Sequence, residues 1–188
     1  MDAPVSAFLS RIEPLIAPKP DVPAIAAELA EFATDRDYFE RLIAPLSDEE
    51  LGVLGLHMPE HGPRLFLMHR PRGVMSYVHS HGTWAIVAPV RGIETHRHFD
   101  VVRTEAPDHA EVVLASEVRL IPGEAASIVP PNDIHSHGNR GGDDQPFTLI
   151  MTGDDQLRFA RREYDVEAGT YRDLPPGDFG QLNLPPAD

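Results

Sequence analysis

Apolar residues recur at helical spacing over residues 1–50 and at shorter, alternating spacing afterwards. Phe8, Ile12 and Leu15 fall on one helical face, and Pro14 and Pro18 are expected to limit that segment. A second helix is predicted to open near Asp21 and Pro23, with Ile25, Leu29 and Phe32 on its buried side. A third carries Tyr38, Phe39, Leu42 and Ile43 and is expected to stop at Pro45. These helices read as a core-packing layer without chemistry of their own. From about residue 51 the texture becomes β-like, with runs rich in Val, Ile, Leu and aromatics divided by Gly, Pro, Asp and Asn. Leu65–Met68, Met75–Val78, Trp84–Val90, Glu111–Leu114, Ala126–Val129 and Phe147–Thr152 are the clearest. Many short strands with regular turn signals predict an antiparallel sandwich or barrel. The segment 175–188, rich in Pro and Gly, is expected to be a tail draped over the surface.

Composition narrows the function classes. A chain of 188 residues suffices for one well-cored domain. It carries 16 basic and 30 acidic residues, a formal net charge of −14. That balance repels phosphate backbones and anionic membranes, so neither nucleic acid nor a membrane is an expected partner. An anionic small molecule would need a local positive site. There is no cysteine, so disulfides, thiolate nucleophiles and cysteine metal ligands are excluded. Met1-Asp2-Ala3-Pro4 lacks a basic region followed by a hydrophobic core, and no apolar run approaches membrane-spanning length. The expectation is a soluble cytoplasmic protein, monomeric or homo-oligomeric.

Two histidine clusters carry the candidate chemistry: His79-Ser80-His81-Gly82-Thr83-Trp84, and Pro130-Pro131-Asn132-Asp133-Ile134-His135-Ser136-His137. Residues i and i+2 of an extended chain share a face, so His79 and His81 can converge on one centre. A third imidazole from a distant strand would complete one side of a metal's coordination sphere. His137 shares a face with His135 and is its rival. His96 and His98 alternate on the strand after Gly92 and read as an exposed or lining pair. His57, His61, His69 and His109 have no partner in sequence and are expected to be solvated. Glu94 is expected to cap a turn or pair with a surface cation.

The pattern Gly73…His79-x-His81-x-x-Trp84…Gly92-x-Glu94, followed by Pro122-Gly123…Pro130-Pro131…His135…Asn139, resembles the two cupin motifs of the cysteine dioxygenase family. The likeness is to its bacterial members, including 3-mercaptopropionate dioxygenases, and runs from about residue 45 to residue 172. It implies a mainly β fold, the cupin double-stranded β-helix or jelly-roll barrel, over 51–174, with residues 1–50 forming a helical layer packed on it. It also implies one Fe(II) per chain, or another divalent metal, held by His79, His81 and His135, with a small-molecule substrate and dioxygen as partners. Ala85 and Ile86, where many cupins place a glutamate ligand, cannot bind metal. Arg161 takes the place of the arginine that holds a substrate carboxylate in the mercaptopropionate branch. Trp84 and Ile150 are expected to line the substrate site. The family's Ser-x-His-x-Tyr relay falls on Thr148, Ile150 and Thr152, so Thr148 and Thr152 remain as candidate catalytic hydroxyls where an imidazole and a phenol are missing.

These departures argue against cysteine as substrate and admit a bulkier or more apolar one. The leading expectation is therefore a non-haem Fe(II) dioxygenase acting on a small, carboxylate-bearing molecule. Another metal-dependent cupin enzyme (a carbon–carbon cleaving dioxygenase, lyase or isomerase) and a non-catalytic small-molecule binder are the alternatives.

Overall fold

In the computed structural model the residues described are 2–46, 52–104, 106–140 and 146–177. Three helices come first: α1 (Ala3–Ile16), α2 (Val22–Phe32) and α3 (Arg36–Ile43). The Asp21 carboxylate caps α2 by accepting from Ala24 N–H at 3.1 Å, and Asp35 caps α3 by accepting from Tyr38 N–H at 3.1 Å. Pro14 does not end α1, which continues to Ile16. So close to the helix end, its missing N–H removes only one bond from the ladder. Of the expected 175–188 tail, residues 178–188 lie outside the described residues.

Eleven strands follow among the described residues: β1 (Gly52–His57), β2 (Arg64–His69), β3 (Val78–His79), β4 (Ala85–Arg91), β5 (Glu94–Arg103), β6 (Glu111–Leu120), β7 (Ala126–Ile128), β8 (His135–Gly138), β9 (Phe147–Thr152), β10 (Arg161–Asp165) and β11 (Thr170–Leu174). They form two antiparallel sheets, ordered β1-β2-β9-β4-β7 and β11-β10-β3-β8-β5-β6. From β3 to β10 the chain passes repeatedly between the sheets, so strands adjacent in sequence seldom pair. That crossing is the jelly-roll, double-stranded β-helix topology. The fold is thus mainly β with an N-terminal helical layer.

Both faces of the five-stranded sheet are covered, which explains why β4 and β9 lack polar alternation. Leu65, Leu67, Ile86, Ala88, Phe147, Leu149 and Met151 form one face, packed against Phe8, Ile12, Ile25, Leu29 and Phe39 of the helices. The opposite face carries Phe66, Ala85, Val87, Ile128 and Ile150, which cluster with Leu120 from the other sheet. The interior between the sheets is therefore apolar on one wall. No helix among the described residues is long and apolar enough to cross a membrane.

The helical layer is fastened by an aromatic group in which Phe8 stacks on Phe32 at 4.8 Å and Phe39 meets Phe32 edge-on at 5.1 Å. Phe8 is fully buried. Phe8→Ala is expected to lower the unfolding free energy by about 3–5 kcal/mol, measured by urea denaturation. A loss below about 1 kcal/mol would mean that the helices do not share the barrel's core.

Candidate metal centre

The second wall of the interior is polar, and strand register builds it. His79 of β3 and His135 of β8 are direct cross-strand partners, so their side chains leave the sheet side by side, with ring centroids 4.4 Å apart. His81 lies just beyond β3, and its ring stands 4.9 Å from His79 and 4.6 Å from His135. One ligand atom from each of the three can be chosen so that all lie within 4.8 Å of one another. The sequence-predicted triad is therefore brought together as a group that could hold a metal.

Asp133 fixes both halves of this group. Its carboxylate oxygen Oδ2 accepts from the backbone N–H of His81 at 2.9 Å and of Gly82 at 3.0 Å. Its own carbonyl accepts from His135 Nδ1 at 2.8 Å. Gly82 must turn with φ +69, and a Cβ there would meet Phe159 Cβ at 2.7 Å. Ser80 is fastened to β10 by paired bonds with Arg162, at 3.0 and 2.9 Å. Two motifs far apart in sequence are thus held in one geometry.

The tautomers follow from the partners. A carbonyl only accepts, so His79 Nδ1 donates to Tyr77 O at 3.0 Å and His135 Nδ1 donates to Asp133 O. Both Nε2 lone pairs are then left for the centre. His135 Nε2 is buried with no hydrogen-bond partner, as is His81 Nδ1. His79 Nε2 and His81 Nε2 lie 2.9 Å apart, the spacing of adjacent ligands around an ion with bonds of about 2.1 Å. Burial first, and neighbouring imidazoles second, push all three well below the ordinary histidine value of 6.5. They are neutral at neutral pH, which is the form that binds metal. Donor type, orphaned nitrogen atoms and charge state all fit a divalent cation.

Around the triad the structure corrects several expectations. Glu94 neither caps a turn nor meets a surface cation: it is buried, accepting from His137 Nδ1 at 2.6 Å and, across the interior, from Thr148 Oγ1 at 2.9 Å. The reason is that β5 begins at Glu94, which places this side chain on the same interior row as His96. His137 is thereby engaged by Glu94 and stands outside the triad, its ring 5.9 Å from His135. Of the pair expected to be exposed or lining, His96 takes the lining place: it is buried and stacks on His135 at 5.6 Å, while His98 is half-buried. His69 is not solvated. It is buried against Phe147 at 4.8 Å, on the helix-covered face that Leu65 and Leu67 share. His61 and His109 are exposed and His57 is half-buried.

Trp84 is not brought to the triad. It packs with the cluster beneath the helices, because Ala85 and Val87 take the inward positions of β4. Thr148, Ile150 and Thr152 share the inward face of β9 and are all buried; Ile150 joins the apolar wall with Phe66 and Val87. Arg161 is buried at 3% exposure, hydrogen-bonds the Tyr77 hydroxyl and lies close enough to His81 to depress its protonation.

Sequence reasoning missed Tyr77, whose ring lies 4.7 Å from that of His79, and the anchoring role of Asp133. Each stands two residues before a triad histidine, so the period-2 rule that paired His79 with His81 marked Tyr77 as well.

No protein-family model and no curated protein matches the sequence. Similar solved structures include the DMSP lyase DddQ of Ruegeria pomeroyi DSS-3, with 15% identity over 86% of this chain and 96% of that one, at a TM-score of 0.48. A cupin superfamily protein of Desulfitobacterium hafniense DCB-2 is similar at 15% identity over 58% and 82% of the two chains, with a TM-score of 0.43. A cupin-like protein of Thermotoga maritima is similar at 14% identity over 65% and 86%, also with a TM-score of 0.43.

Two outcomes follow from this geometry. Asp133→Ala should weaken divalent metal binding by about ten- to a hundredfold in chelator competition, with the far-ultraviolet circular dichroism unchanged; unaltered affinity would show that the loops hold themselves. In the metal-free protein, burial brings His96 from 6.5 down to about 4. A depressed histidine contributes stability that is present above 6.5 and lost as pH falls through about 4. Thermal melts of the metal-free protein should therefore drop as pH falls below 6.5, and His96→Gln should remove only part of that drop, because the triad histidines are depressed in the same way.

Proposed function

We propose that this chain is a mononuclear non-haem Fe(II) dioxygenase of small organic acids. The observation that carries this reading is a buried, neutral, all-histidine triad with a buried arginine beside it. An Fe(II) ion held by His79, His81 and His135 would supply open positions at which substrate and dioxygen meet. Other divalent metals suit the same donors.

The chain's own residues supply the rest. Arg161 presents a planar guanidinium with five N–H donors, a shape that takes a carboxylate bidentately. It hydrogen-bonds the Tyr77 hydroxyl and lies near His81. In a chain of net charge −14 this local cation is what lets an anionic substrate approach. The apolar wall of Phe66, Val87 and Ile150 excludes water from the opposite side. Glu94, satisfied by His137 and Thr148, holds those two groups in place rather than meeting the substrate.

L-Cysteine fits this interior poorly. Its ammonium group needs a carboxylate, yet Glu94 is engaged by His137 and Thr148, and Glu163 by Arg172. An unpaired ammonium in a buried site costs several kcal/mol, on the order of what separates good substrates from poor ones.

Anaerobic purification with metal analysis, followed by oxygen uptake across thiol acids, diketones and phenols, tests the reading. Uptake with a carboxylate-bearing substrate and little with L-cysteine is expected. Uptake confined to uncharged substrates would remove the acid, and no uptake by iron-loaded protein would remove the dioxygenase. Arg161→Ala should raise KM by roughly ten- to a hundredfold with iron content unchanged, since a charge-assisted contact contributes about 1.5–3 kcal/mol. Kinetics equal to the parent's would show that Arg161 does not receive the substrate.

A further inference from the structure

A cavity of about 410 Å³ opens between Tyr77 and the β10–β11 hairpin. Register sets which way its walls face. Glu163 is the cross-strand partner of His79, Arg172 that of Glu163, and Thr170 that of Asp165. Directly opposed side chains leave a sheet on one face, so Glu163 and Arg172 point to the side on which the triad lies. Asp165 and Thr170, two residues along each strand, point there too. Tyr77 completes the inner wall: its ring stands 4.7 Å from that of His79, and its hydroxyl bonds Arg161. The cavity therefore ends on side chains that touch a triad histidine and the buried arginine.

Other spaces beside this sheet do not lead there. A cavity of about 460 Å³ has Ile134, Arg162 and Tyr164 in its wall, which alternate with His135, Arg161 and Glu163 and so look away from the triad. At the Glu94 end, the space among Met68, Arg70, His137 and Thr148 is about 10 Å³, no more than a single water needs.

Exposure falls steadily along the hairpin route. The Arg172 side chain is 52% exposed, that of its ion-pair partner Glu163 12%, and Arg161 3%. The Glu163–Arg172 pair thus spans the way in, and a pair with one partner half in water opens readily. Three carboxylates line the cavity, Glu163, Asp165 and Glu167, and Arg172 is the one cation among the described residues that line it. An anion on this route meets like charge except at Arg172.

We propose that reactants reach the metal centre through this cavity, and that the Glu163–Arg172 pair selects them by charge. Arg172 receives the carboxylate of an incoming acid in place of Glu163 and passes it on to Arg161. This deepens the reading of the centre as one for small organic acids, and rests on it.

Stopped-flow absorption on the Co(II)-loaded full chain tests the route with two probes that coordinate the ion: azide, an anion, and pyridine, uncharged above neutral pH. Thr170→Trp fills the cavity and should slow association and dissociation of both probes by about tenfold, with equilibrium affinities unchanged, as narrowing a passage does. Arg172→Trp, at an exposed position and read with pyridine, repeats the block should Thr170→Trp fail to fold. Arg172→Gln should slow azide association by about three- to tenfold, Glu163→Gln should speed it by a similar factor, and pyridine should respond to neither. Val101→Trp narrows the cavity on the opposite face and should change no rate. Parent rates in the blocked variants overturn the entrance, as does slowing by Val101→Trp. Azide and pyridine shifting alike, or not at all, in the two charge variants overturns the selection. A chain that takes up no Co(II), or admits neither probe to it, removes the metal reading and this proposal together; normal coordination at unaltered rates removes the proposal alone.

Discussion

One carboxylate ties the centre together. Asp133 Oδ2 accepts the backbone N–H groups of His81 and Gly82 while the Asp133 carbonyl orients His135. His81 stands beyond the end of β3, where no ladder bond would otherwise hold it, and β3 itself is only two residues long. Cross-strand pairing fixes His79 against His135, but pairing alone leaves the third imidazole on a loop. A buried carboxylate with two N–H donors at 2.9 and 3.0 Å is a charge-assisted anchor, stronger than neutral bonds of the same length. The loop's freedom is thereby removed before any ion arrives. What a bound ion would then contribute is the satisfaction of buried nitrogen atoms, such as His135 Nε2, that have no hydrogen-bond partner.

How far this could be read from the chain depended on whether a signal was local. The triad was legible because the ligands obey period-2 alternation and each cluster ends in its own turn. The helical layer was legible from Ile25, Leu29 and Phe32 alone. Trp84 was not, since β4 and β9 are covered on both faces and a strand that is apolar throughout does not say which side looks inward. Placing Trp84 required knowing that the helices lie over Ile86 and Ala88 rather than over Val87. His69 failed for the same reason: its burial comes from Phe147, far along the chain, and from the helix-covered face on which it lies.

Glu94 and Arg161 show a second limit, that of charge. A carboxylate next to a turn glycine is usually solvated, and an arginine in an acidic chain usually decorates the surface. Both are buried here because partners reach them from other strands: His137 and Thr148 for Glu94, Tyr77 for Arg161. Burying a charge without such partners is costly enough that the arrangement has to be completed in three dimensions. Composition counts these residues and cannot pair them.

The same pairing sets the sign of the interior. The triad is neutral, held so by burial, and therefore does nothing to offset a divalent ion's charge. Two buried carboxylates touch the histidine wall: Glu94 accepts from the His137 ring with Arg70 near it, and Asp133 accepts from the His81 backbone. Arg161 lies near His81 and hydrogen-bonds a Tyr77 phenol that burial keeps neutral. A metal-loaded interior would thus be positive at the ion and at Arg161 and balanced at Glu94. Inside a protein whose exterior is strongly acidic, that polarity favours a reactant which carries its negative charge toward both the ion and the arginine, and disfavours one which must also bury a cation.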